Sequence, residues 1–253
     1  MSLHLPIHFS CYRNIDNSKR YRKGAHARHV TGKSQAPDGL WASPIEAPCL
    51  PDLRFCRLVG ADAWARLPPA VQVRFAKRMQ PGHSVTYEGD IVHCRLAPAG
   101  WLLAQLCRCI GSPLPLSDDI GVAAIATVTE DGVGGGQVWS RMYARHNGFP
   151  QVIHSAKRFA GPTGLEEYLG GGFGIALTVC ADATGIAFLS DHYFLRLGPW
   201  RLRLPDWLSP GALRIDHQDA GGGRFAFTLS LHHAVLGELI HQVGRFRDRP
   251  TLN

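Results

Sequence analysis

Gln137-Val-Trp-Ser-Arg-Met-Tyr-Ala-Arg145 follows the loop Asp131-Gly-Val-Gly-Gly-Gly136 and precedes a second alternating run, Val152–Phe159. Successive side chains of a strand point to opposite faces. Trp139, Arg141 and Tyr143 therefore share one face, and Val138, Ser140 and Met142 share the other. The loop between two alternating runs has the composition of a hairpin, with glycines free to take positive φ.

The same grammar continues almost to the C-terminus. Val122–Thr129, Leu165–Tyr168, Phe173–Ala181, Ile186–Leu197, Leu213–His217, Phe225–Leu231 and Leu239–Phe246 read as strands. Asp182-Ala-Thr-Gly, Leu197-Gly-Pro and Asp219-Ala-Gly-Gly-Gly punctuate them. Short strands with regular turn signals and no intervening helices imply a mostly antiparallel sheet, curled or closed. Trp207 falls in a Pro205–Pro210 excursion long enough for one helical turn.

Upstream, Trp64–Met79 reads as a helix opened by Pro68-Pro69, with Val71, Phe75 and Ala76 on its apolar stripe. Ser84–Leu96 reads as a strand or hairpin. Trp101–Ile110 is apolar nearly all round, which predicts a buried helix. The expected fold class is thus α+β: a curved, mostly antiparallel sheet wrapped around a buried helix, an open barrel of lipocalin-like or START-like form.

Residues 1–50 carry seven Lys or Arg against three acids, more than half of the chain's formal charge of +7. Their turn-rich composition predicts a disordered or loosely attached basic tail, with one β-rich domain over 51–248 and a short tail over 249–253. The body is only weakly basic, so no nucleic-acid surface is expected. Seven Cys without a C-x-x-C pattern suggest reduced, mostly buried thiols and a cytoplasmic location. No apolar run is long enough for a transmembrane segment.

Two glycine runs, Gly132–Gly136 and Gly170–Gly174, lack the Lys-Ser/Thr of a phosphate loop and lead into strands, so they read as turns. The candidate site begins at Trp139 and Arg141. If Trp139 faces the interior, so does Arg141, and a buried guanidinium needs a carboxylate. Glu167, two strands later, is the expected partner, against the plainer alternative that the pair only stabilises the fold. Such an anchor in an apolar pocket would recognise a carboxylate, phosphate or carbonyl group. His232, His233, Glu238 and His241 are the densest histidine group, but strand geometry separates them, so no metal is expected.

The order Leu67-Pro-Pro-Ala-Val-Gln-x-Arg-Phe-Ala76, Pro113-Leu-Pro115, Trp139-x-Arg141, the Ser155 strand, Glu167-x-Leu-Gly170, Ser190, Leu204-Pro205, Phe225-x-Phe227, His233-x-x-x-Gly237-Glu238 and Gly244-x-Phe246 resembles the bacterial Domain of Unknown Function family 4166 over about residues 55–247. His233-Ala234 departs from the His-Pro of that pattern. The resemblance implies no activity or cofactor. Members are often attached to saccharopine-dehydrogenase-like domains, which implies a separate NAD-dependent oxidoreductase as a possible partner.

The leading expectation is a domain binding a small, largely apolar ligand, with Trp139, Arg141, Ser155, Glu167, His233 and Glu238 as candidate ligand-binding residues. The alternatives are an acid–base enzyme (isomerase, cyclase or reductase accessory) using Arg141, Glu167 and His233, and an interaction module for an oxidoreductase.

Overall fold

The computed structural model describes residues 50–80 and 83–248. The tail expected over residues 1–49 and the one over 249–253 lie outside these described residues. The first elements are β1 (Leu50–Pro51), α1 (Arg54–Val59), α2 (Ala61–Arg66), α3 (Pro69–Phe75), β2 (Lys77–Arg78), β3 (Ser84–Leu96) and α4 (Pro98–Leu106). There follow β4 (Val122–Asp131), β5 (Gly136–Tyr143), β6 (Gln151–Arg158), β7 (Leu165–Gly170), β8 (Phe173–Ala181) and β9 (Gly185–Leu197). The last are β10 (Trp200–Arg203), β11 (Ala212–Gly221), β12 (Arg224–His233) and β13 (Gly237–Asp248).

Ten strands form a closed antiparallel barrel in the order β9-β11-β12-β13-β3-β4-β5-β6-β7-β8, and β8 pairs back onto β9. β10 is an eleventh strand folded back on the distal half of β9, with Arg203 opposite Phe194. Closure leaves the ring without a free edge. The turns are those of the glycine runs: Asp131 accepts from the backbone N–H groups of Val133 and Gly134 at the head of the β4–β5 loop. Gly170, Gly171 and Gly172 all have positive φ at the β7–β8 turn.

Period-two alternation fills the interior from the strands themselves. Phe225, Phe227, Leu229 and Leu231 on β12, Leu213 and Ile215 on β11, and Ile186 and Phe188 on β9 all belong to the buried core. Arg141 and Tyr143 are buried and Met142 is exposed, as the spacing from Trp139 requires.

Helices cover the two ends. At the end where β9 and β12 begin, Phe55 of α1 packs edge-on to Phe75, Phe159 and Phe188 at centroid distances of 5.0–6.0 Å. The single helix expected over Trp64–Met79 is broken in two, because Leu67 precedes a proline and adopts an extended conformation. Pro69 then occupies the first turn of α3.

At the other end, α4 and the 3-10 turn Cys107–Ile110 run from the start of β13 to the β7–β8 turn. This corrects the expectation of a buried helix inside the sheet. Only Gly100 and Ala104 of α4 are buried, whereas Trp101, Leu102 and Leu106 are half or more exposed. Strand side chains already occupy the lumen, so the helix caps it and uses its smallest residues for contact. Gly100 lies so close to the Leu239 carbonyl that a Cβ there would collide with it. The expectation of buried thiols also fails: among the described residues the free cysteines are half-buried (Cys56, Cys94, Cys107) or exposed (Cys109, Cys180).

Candidate functional site

β5, β6 and β7 carry a polar belt across one wall of the barrel. Their register sets Trp139 opposite Ser155, and Lys157 opposite both Gln137 and Glu167. Alternation turns Gln137, Trp139, Arg141, Ser155, Lys157 and Glu167 inward. The Trp139 indole donates to the Gln137 side-chain oxygen at 3.2 Å.

The expected Arg141–Glu167 ion pair is not formed directly. Glu167 pairs instead with Lys157, Nζ to Oε2 at 2.6 Å. Arg141 donates to the Ser155 hydroxyl at 3.1 Å, and Ser155 in turn hydrogen-bonds Glu167. The link between Arg141 and Glu167 thus passes through Ser155. Lys157 takes the carboxylate because it stands directly across the strand pair, where side chains meet. Its position, two residues beyond Ser155 on the same face, was the signal for it in the sequence.

Electrostatics follow from the belt. Burial alone would raise the Glu167 carboxyl, but Lys157 and Arg141, with hydrogen bonds from Lys157 and Ser155, hold it below its ordinary value. Lys157 also lies 5.0 Å from the Trp139 ring and 5.1 Å from the Phe188 ring, so cation–π attraction adds to the pair.

A second group comes from the cap. Arg74 of α3 reaches into the barrel, its guanidinium 4.2 Å over the Phe225 ring. Its terminal nitrogen stands 3.1 Å from Nε2 of His217. The His217 ring stacks on Phe225 at 4.2 Å and meets Phe75 edge-on. Burial, with the Arg74 charge beside it, pushes the imidazole pKa well below its ordinary value, so His217 is neutral.

Arg74, His217 and Arg141 border one cavity walled by Met79, Val128, Trp139, Phe225, Phe227 and Phe246. Counted over the positions a water centre can occupy, its volume is about 40 Å³. One water needs roughly 10–15 Å³ on that measure, so the cavity has room for a few waters or one short organic group. The hollow is small because aromatic side chains fill most of the barrel.

His233 and Glu238 lie elsewhere. His233 is six residues beyond Phe227 along β12, about 20 Å at roughly 3.3 Å per residue. Its Nδ1 accepts from the backbone N–H groups of Val235 and Leu236 in the β12–β13 turn. Glu238 faces Arg95 at 3.4 Å on the surface. The acid–base trio of Arg141, Glu167 and His233 is therefore not assembled. Sequence reasoning missed Arg74 and His217. Arg74 was not among the residues assigned to the apolar stripe of Val71, Phe75 and Ala76, although it is buried beside them, and His217 looked like the last residue of a strand. Among the described residues no cluster of three or more His, Cys, Asp or Glu could hold a metal ion, and no helix is long and apolar enough to cross a membrane.

The sequence profile of the family described as Domain of unknown function (DUF4166) matches residues 67–246. That span runs from Leu67, two residues before α3, to Phe246 in the last barrel strand, and contains Arg74, Arg141 and His217. The chain belongs to this family. No curated protein matches it.

Proposed function

We propose that the protein binds a small, largely apolar ligand inside the barrel, at the cavity bordered by Arg74, Arg141 and His217. The observation that carries this reading is the composition of that cavity. Its wall is aromatic and aliphatic, yet buried polar groups from three separate elements reach it. Binding sites combine an apolar wall with a few placed polar groups in this way. The ligand is short, in keeping with the cavity's size, and Trp139 is a wall of its site. Benzyl alcohol is a suitable neutral probe. Titration followed by indole fluorescence is expected to saturate with wild type and to fail with Ala126→Leu, which fills the cavity. Identical behaviour of the two proteins would overturn the reading.

A second reading, docking of a protein partner such as an oxidoreductase, is favoured by the surface at the α4 end. Trp200 and Trp207 are 70% and 82% exposed there, with Leu208, Val235 and Leu236 also exposed. Sedimentation of the purified protein with a purified oxidoreductase tests it. Co-migration lost on Trp207→Ser would support it, and independent sedimentation would count against it.

A further inference from the structure

We propose that the ligand is a small organic acid, its oxyanion head held by Arg74, Arg141 and His217 and its short apolar body lying against Trp139 and Phe227. This rests on the reading of the cavity as a ligand site and adds the chemistry of the head.

The argument is one of donors without acceptors. A guanidinium can only donate. Arg74 therefore donates to Nε2 of His217, which fixes the ring proton on Nδ1. His217 presents an N–H at that atom. Nδ1 of His217, Nε of Arg74 and Nε of Arg141 are all buried, and none has a hydrogen-bond partner among the described residues. The three side chains are each more than nine-tenths buried and border the same cavity. An unmet buried donor is costly, and three of them around one space call for an acceptor rather than a donor.

Charge selects an anion. Arg74, Arg141 and Lys157 are buried, and the carboxylate among them, Glu167, is committed to Lys157 and Ser155. Glu130, at the rim, is taken by Arg54 and Arg78. Among the described residues, two guanidinium groups, those of Arg74 and Arg141, therefore remain without a carboxylate of their own. An oxyanion would accept from their Nε–H groups and from the His217 Nδ1–H in charge-assisted hydrogen bonds. An ammonium group there would meet two like charges, those of Arg74 and Arg141.

Four probes sharing one ring separate head from body: benzoate, phenylphosphonate, benzamide and benzylamine, titrated into wild type by calorimetry. Benzoate or phenylphosphonate is expected to bind about tenfold or more tightly than benzamide, with no binding of benzylamine. The tighter of the two anions identifies the head as carboxylate or phosphorus oxyacid. The ring ¹⁵Nδ1 resonance of His217 is expected to shift on saturation with that anion and to stay in place with benzamide. Arg141→Met and Arg74→Met are each expected to remove the preference for the anion. Because the comparison of probes uses wild type alone, a variant that fails to fold does not obscure it. Equal binding of benzamide and the anions would overturn the oxyanion head while leaving the cavity as a ligand site. Binding of none of the four, together with failure of benzyl alcohol, would overturn both.

Discussion

Lys157 and Glu167 face each other across β6 and β7 and close to 2.6 Å inside the barrel, each side chain about 3% exposed. A pair this deep does more to specify the arrangement of its neighbours than to stabilise the fold, because desolvation offsets most of the attraction. It frees Arg141 from the carboxylate and leaves the guanidinium turned toward the cavity.

Removing one partner exposes the cost of the other. Lys157→Met strands a buried carboxylate and is expected to destabilise the protein by about 3–5 kcal/mol. The double variant Lys157→Met, Glu167→Leu is expected to recover most of that loss. Urea denaturation of wild type, the single variant and the double variant measures both steps.

The same carboxylate sets a pH dependence. Glu167 is held below its ordinary value of 4.5 in the folded state. Its contribution to stability is therefore complete above that value and is lost as pH falls through the lower, folded one. Denaturation midpoints from pH 6 to pH 3 are expected to drop steeply below about pH 4.5, and Glu167→Gln is expected to flatten this part of the curve.

The His217 contribution begins to fall at higher pH. Its folded pKa lies well below the ordinary 6.5, so on acidification the unfolded chain takes up the proton first. Stability from the neutral ring is present above 6.5 and declines as pH falls beneath it. His217→Phe, which keeps an aromatic ring against Phe225, is expected to abolish the slope that sets in as pH falls below about 6.5 while leaving the Glu167-dependent drop in place.

The barrel was legible because its signals are local. Alternation from Trp139 to Tyr143 fixed which side chains face inward, and the glycine runs marked the hairpins. Pairing inside the barrel was not, since it depends on register. Lys157 and Arg141 both lie on the inward face, and only the cross-strand alignment of β6 with β7 decides which one meets Glu167. Arg74 was illegible for a related reason. Arg74 stands three residues beyond Val71, on the same buried face of α3, but a charged side chain at such a position does not by itself tell whether it reaches a cavity or turns back to solvent. The apolar α4 misled because hydrophobicity alone does not separate a helix inside a sheet from one laid across its end.

The cap formed by α4 offers a test by overpacking. Gly100→Ala would force a methyl group against the Leu239 carbonyl, a backbone atom that cannot swing aside. The expected cost is about 1–3 kcal/mol, with faster amide hydrogen exchange across α4 than in wild type and little change in the β5–β7 belt.

Closure of the ring by β8 on β9 bears on selection. Hydrogen bonds run between every pair of neighbouring strands, so a molecule reaching Arg141 passes by way of an end, beside Lys77 and Met79, and not through the wall. The side chains at that end, Lys77 and Met79 among them, would then limit the size of what can enter, so that selection by size would fall to the mouth and selection by charge to the interior.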